Sequence, residues 1–173
     1  MRNEPSGASQ GARETPGTFD GAAAGWAGVI AGAAYLGAQL ALVTLVRHDS
    51  PWVPLQRMSA FLLGPDVVPP PAEMSLSIAG FALMIHFTLA FVYGRLIAQG
   101  VRRVRPSLGW VVGACGGLAI YIVNFHLIAP LLFRWFADSQ GPVTLLDHVL
   151  FGIVAALAFI ALRRRSVLAT GAP

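Results

Sequence analysis

Three histidines and one aspartate stand where they could do chemistry. His86, His126 and His148 fall inside long apolar stretches of the chain, and Asp147 sits beside the last of them. Neutral imidazole ligates haem iron, copper or zinc, and an ionisable group within an apolar membrane helix is a functional candidate by default. On a helix turning about 100° per residue, His86 shares a face with Ala79, Ala82, Ala90 and Tyr93, and His148 shares one with Gly152 and Ala155. Both are therefore expected to look into a bundle. His126 falls on the side of Cys115 and Ala119 and is expected to be partly inward, with Cys115 a small buried packing residue. Counted from the ends of the apolar stretches, His148 is the shallowest and His86 the deepest, the two differing by about 9 Å at 1.5 Å per residue. His126 lies about midway. The expected ligand set is His126 with His148, Asp147 serving as a further donor and His86 joining if helix tilt brings it level. Haem b or a transition metal would be the cofactor.

A plainer reading of the same residues is structural. Each imidazole can bond a backbone carbonyl or a hydroxyl, or sit at the membrane edge. Asp147 follows Thr144 by three residues, just after Gly141–Pro142, which is the spacing of a capping box at a helix start. A carboxylate there also complements the helix dipole.

Small residues supply the positioning. Gly28 and Gly32 continue a four-residue spacing begun at Ala24, and Gly109, Gly113 and Gly117 repeat that spacing later in the chain. Such rows let membrane helices approach closely. Asn124 falls on the Gly113 and Gly117 face, where it is expected to hydrogen-bond a neighbouring helix across the glycines. Pro130 is expected to kink its helix and free the carbonyl of His126.

The elements that carry these residues are legible from composition. Hydrophobic residues make up 55% of the 173 positions and charged residues 12%, about half the charge of an average soluble domain. Apolar stretches over about 22–46, 76–98, 108–133 and 144–162 each suffice to cross a bilayer as a helix. The expected fold is all-α: an integral membrane four-helix bundle with lipid around it. All twelve basic residues are Arg. Nine (Arg2, Arg13, Arg95, Arg102, Arg103, Arg105, Arg163, Arg164 and Arg165) fall on one side of such a bundle, against Arg47, Arg57 and Arg134 on the other. The excess of positive charge on the cytoplasmic side then puts both termini in the cytoplasm. The arginines flank apolar segments, so the basic balance marks topology and not nucleic acid as a partner. Residues 1–20 are expected to be a disordered cytoplasmic tail, 21–165 the membrane domain and 166–173 a short cytoplasmic tail. Between the first two spans, Trp52, Leu55, Met58 and Leu62 recur at helical spacing, predicting a short helix in the outer interface with those residues on its apolar side. A loop folded over the mouth of the bundle is the alternative.

The stretches "YIVNFHLIAPLLFRWFAD" and "DHVLFG" resemble a group of small four-helix bacterial inner-membrane proteins of unassigned function. The resemblance implies that fold and a bacterial inner-membrane location. The layout is also similar to that of the small four-helix b-type cytochromes, which bind haem between helix histidines. The chain has no Walker loop, no G-x-G-x-x-G and no H-E-x-x-H. The expectation is a non-catalytic accessory or assembly subunit beside a larger membrane partner or in a homo-oligomer. A haem- or metal-binding electron-transfer subunit is the first alternative, and an oligomeric small transporter or channel the second.

Overall fold

The computed structural model describes residues 19–68, 75–137 and 140–170, and all regular structure among them is helical. Four helices are long and apolar enough to cross a membrane: Gly21–Leu45, Leu76–Val101, Pro106–Leu132 and Pro142–Ser166. The protein is thus a multi-pass membrane helical bundle. Its helices are α1 (Gly21–Leu45), α2 (Trp52–Leu63), α3 (Leu76–Val101), α4 (Gly109–Ile122), α5 (Ala129–Leu132), α6 (Arg134–Ala137) and α7 (Pro142–Thr170). A π-helical segment, Val123–Ile128, joins α4 to α5, so the two form one span.

Of the expected N-terminal tail, residues 1–18 lie outside the described residues. Its last two are built into the bundle: Asp20 Oδ1 accepts from the Ala23 N–H at 2.9 Å and caps α1, and the Phe19 ring packs on Phe159 at 6.3 Å. At the other terminus α7 runs to Thr170, so the helix extends into what was expected to be a tail; residues 171–173 lie outside the described residues.

The bundle is made of two tightly apposed pairs. In the first, α1 crosses α3. A Cβ at Gly28 would land on the Ala90 carbonyl and 2.9 Å from the Cα of Gly94, and one at Gly94 would strike the Gly28 backbone. In the second, α4 crosses α7. A Cβ at Gly113 would land on the Gly152 carbonyl, and one at Gly117 on the carbonyl of His148. Backbone meets backbone at both crossings, and any side chain would separate the helices. In lipid, where burying apolar surface drives nothing between helices, this close contact is what holds a bundle together. Between the pairs, α1 packs along α7 through Ala24, Ala27, Ala31, Ala155, Ala156 and Phe159.

The arginine-rich end is tied together around Phe19, beside a surface hollow of about 490 Å³ lined by Arg102, Arg163 and Arg164. Arg95 Nη1 donates to the Gly21 carbonyl at 2.7 Å, tying α3 to the start of α1, and the Arg95 and Arg102 guanidiniums lie 5.6 and 5.4 Å from the Phe19 ring centre. Here α3 and α4 also touch, since a Cβ at Gly100 would sit 2.9 Å from Val112 and one at Gly116 would sit 3.0 Å from Ile97.

The helix expected after the first span is α2, but it turns a different side to the bundle. Gln56, Ser59 and Ala60 are its buried residues, while Leu62 of the expected apolar stripe is 59% exposed. The buried hydroxyl is satisfied locally, with Ser59 Oγ donating to the Gln56 carbonyl at 2.8 Å. Phe61, on another side of α2, packs on Phe133 and Phe136 at 4.5 and 4.8 Å between ring centres. The physical reason is that α2 packs on α3 and not only on lipid, so its buried side is set by that contact and not by the apolar stripe alone.

Candidate functional site

Toward α2 the bundle opens. Beyond their contact at the arginine end α3 and α4 part, and Tyr93 bridges the gap, its hydroxyl donating to Asn124 Oδ1 at 2.8 Å. Past this bond lies a cavity of about 300 Å³. Its walls include Ile85, His86 and Leu89 of α3, Ile120 of α4 and Phe125 of the π segment. Tyr35, His148 and Phe151 back it, and Met58, Phe61, Phe133 and Phe136 close it over from the α2 end. A second hollow of about 460 Å³ adjoins it toward α2 and is more polar, with Gln39, Arg47, Asp49, Arg57, Gln140 and Thr144 on its walls. Tyr35, His86, Met58, Phe125 and Phe136 line both.

The π segment shapes one wall. In it the Ala129 N–H reaches back five residues to the Asn124 carbonyl. In that register Pro130 stands opposite Phe125, and proline has no N–H to give. The carbonyl left over is therefore that of Phe125, where unbroken α-helix would have predicted His126. Gln140 fills the vacancy, its Nε2 donating to the Phe125 carbonyl at 2.7 Å. The loop before α7 is thereby pinned to the π segment, and Phe125 is held fully buried. Single-turn π segments cost hydrogen-bond geometry and recur beside binding sites.

The histidines divide differently from the sequence expectation. His86 and His148 come together around Tyr35, whose ring centre lies 5.8 Å from one imidazole and 5.3 Å from the other. His86 Nε2 donates to the Gly32 carbonyl at 2.9 Å, and His148 Nδ1 to the Thr144 carbonyl at 2.8 Å. His126 is elsewhere. It is exposed, as is Cys115 on the same side of the span, and among the described residues its one ring contact is with Tyr121 at 5.5 Å. The pairing of His126 with His148 is not made, and Cys115 is not a buried packing residue. Both face outward because the glycine row commits the opposite side of α4 to α7.

Asp147 is not a capping residue either. Helix α7 starts at Pro142, with the Leu145 N–H bonded to the Gly141 carbonyl, so Thr144 and Asp147 are both already inside the helix. Among the described residues, Asp147 Oδ2 is buried without a hydrogen-bond partner, and so is Gln39 Oε1. Among the described residues no three His, Cys, Asp or Glu side chains converge as a metal site would need. The ring of Tyr35 packs against both inward imidazoles. The donor set His126, His148 and Asp147 thus does not fit a metal ion, and His86 with His148 does not present an open slot for haem.

Asn124 does join two helices, but its partner is on α3, whereas the glycine face next to it packs on α7. A tyrosine is long enough to reach across the parted helices to it. Tyr35, Gln140 and the phenylalanine walls of the cavity were not singled out in the sequence, and Tyr93 was placed on the inward face of His86 without a partner. Neither were Gly94 and Gly152 as crossing points, although the rows Ala90–Gly94–Ala98 and His148–Gly152–Ala156 have the same four-residue spacing as those that were. No family model matches the chain, and no curated protein and no solved structure is significantly similar to it.

Proposed function

We propose that this protein is a non-catalytic subunit of the bacterial inner membrane, with both termini cytoplasmic. It works as an accessory or assembly factor beside a larger membrane partner and holds a small, mostly apolar molecule in its bundle. The observation that carries this reading is the cavity of about 300 Å³ between α3 and α4, at the lower end of the range for small-molecule sites. At the arginine end α3 and α4 touch, Gly100 against Val112 and Gly116 against Ile97, yet at the α2 end they are held apart by a tyrosine–asparagine bridge and capped by phenylalanines. A partner role is supported by His126, an exposed polar group on an otherwise apolar surface that includes Ile122, Val123 and Leu127. Such groups are covered in membranes by protein more readily than by lipid.

Three measurements test this. Solvent extraction and mass spectrometry of protein purified in nanodiscs should reveal a stoichiometric small molecule that is lost when Ile120→Trp fills the cavity; no compound above the lipid background would overturn the ligand reading. On native gels of gently solubilised membranes the chain should migrate in an assembly larger than itself, and migration as a free monomer would overturn the partner reading. Reporter fusions after Arg105 and Arg165 should report cytoplasm, and one near Pro70 the opposite side.

A further inference from the structure

We infer that the cavity takes a phenol-class molecule, an apolar ring bearing a hydroxyl, with that hydroxyl held between the side chains of Tyr35 and His148. The inference rests on the cavity being a ligand site and names what the site takes.

The hydrogen bonds of the two imidazoles set the polarity of the recognition. A backbone carbonyl only accepts, so the Thr144 carbonyl fixes the proton of His148 on Nδ1 and leaves Nε2, at the far edge of the ring, with a lone pair. The Gly32 carbonyl likewise fixes the proton of His86 on Nε2 and leaves its Nδ1 as an acceptor. Both inward histidines are therefore acceptors, and a polar group that meets them must donate. Tyr35 lies against both rings and lines the cavity; among the described residues its hydroxyl makes no hydrogen bond, and Asp147 is the charged group that acts on it electrostatically. Its hydroxyl can donate to the ligand oxygen. A hydroxyl is the neutral group that donates and accepts through a single atom, which matches an imidazole lone pair on one side and a tyrosine O–H on the other.

The charge of the ligand follows from the walls. Among the described residues no Arg or Lys lines the inner cavity, whereas Arg47 and Arg57 line the adjoining hollow. A phosphate or carboxylate would be buried without a counter-charge, at a cost several times that of burying a hydrogen-bonded hydroxyl. The shape follows from Phe61, Phe125, Phe133, Phe136 and Phe151, five rings that favour a flat aromatic body packed edge-on and face-on. A volume of about 300 Å³ admits one or two fused rings. Such a ring arrives either as a free phenol or as the headgroup of a tailed membrane phenol. The chemistry recognised is the same.

The test is thermal unfolding of the full chain in nanodiscs with 1-naphthol, its methyl ether 1-methoxynaphthalene, and a 1-naphthol carrying a dodecyl chain. 1-Naphthol should raise the melting temperature by on the order of 5 °C at about 100-fold excess over its Kd, and the ether should not. Tyr35→Phe and His148→Phe keep the ring contacts and should abolish the difference between the two probes. A shift from the dodecyl compound as well assigns the site to a membrane lipid headgroup, and a shift from 1-naphthol alone assigns it to a free molecule. Equal shifts from 1-naphthol and the ether would overturn the hydroxyl inference while leaving the cavity as a ligand site. No shift from any probe would overturn both. A difference that survives both substitutions would overturn the assignment to Tyr35 and His148.

Discussion

The same four spans pack in two different ways along their length. At the arginine-rich end and through the middle, glycine stands against backbone, alanine fills the remaining space, and two arginines cover Phe19. At the α2 end the contacts are made by large side chains instead: Tyr93 spans α3 to α4, and Phe61, Phe125, Phe133 and Phe136 form a cap. The first region leaves no gap at its crossings because the contacts there are backbone to backbone, and its one open hollow, of about 490 Å³ among the described residues, lies past them between Val101, Arg102, Phe159 and Arg163. The second encloses space because side chains set the spacing. Small residues close a membrane bundle, and a few long polar bridges keep it open where something must be held.

Breaking the closed half should have the largest effect. Gly117→Leu drives a side chain into the His148 carbonyl and Gly28→Leu drives one into that of Ala90, so each should cost about 3 kcal/mol or more and separate the helix pair. The check is melting in detergent or nanodiscs, and an unchanged transition would mean that these crossings are not close.

The π segment should be next. Gln140→Ala leaves the Phe125 carbonyl buried without a donor and should cost about 1–2 kcal/mol. In a Pro130→Ala background residue 130 has its own N–H, so the same substitution should cost less. Equal costs in the two backgrounds would contradict the register described for Val123–Ile128.

Smaller effects separate the polar bridge from the outer histidine. Tyr93→Phe and Asn124→Ala each remove one interhelical bond worth about 0.6 kcal/mol, and the double variant should lose about as much as either single, because the bond removed is the same. Additive losses would mean that each has a separate partner. His126→Ala should leave melting of the isolated chain unchanged, since its side chain is exposed; a loss above about 1 kcal/mol would place it in a packed contact.

Much of the first region was legible in the sequence, and little of the second. Apolar length placed all four spans to within a few residues, apart from α7, whose helix runs on past the last hydrophobic run to Thr170. Four-residue spacing of Gly113 and Gly117 pointed to a close crossing because no side chain competes for that face. The cavity lacked such a signal. In lipid the outward face of a helix is as apolar as the inward one, so periodicity does not tell Phe125, which is fully buried, from Leu127, which is exposed. The π turn compounds this by shifting register at Asn124, which moved the orphaned carbonyl from His126 to Phe125. His86 and His148 could be read as inward from their alanine and glycine neighbours. Their meeting at Tyr35 depends on how α1, α3 and α7 are arranged around one another, which no single span encodes.

The account turns on one end of the gap between α3 and α4 being open and the other shut, and a matched pair of substitutions on α4 measures that directly. Ile120 lines the cavity, whereas Val112 lies against Gly100 at the closed end. With all chains first freed of bound small molecule, so that loss of a ligand does not enter, thermal melting of Ile120→Trp and Val112→Trp in nanodiscs should show the first within about 1 kcal/mol of the unaltered chain, because the ring enters existing space, and the second destabilised by about 3 kcal/mol through overpacking. Equal losses for the two, or a greater loss at Ile120, would contradict the open cavity and with it the ligand site.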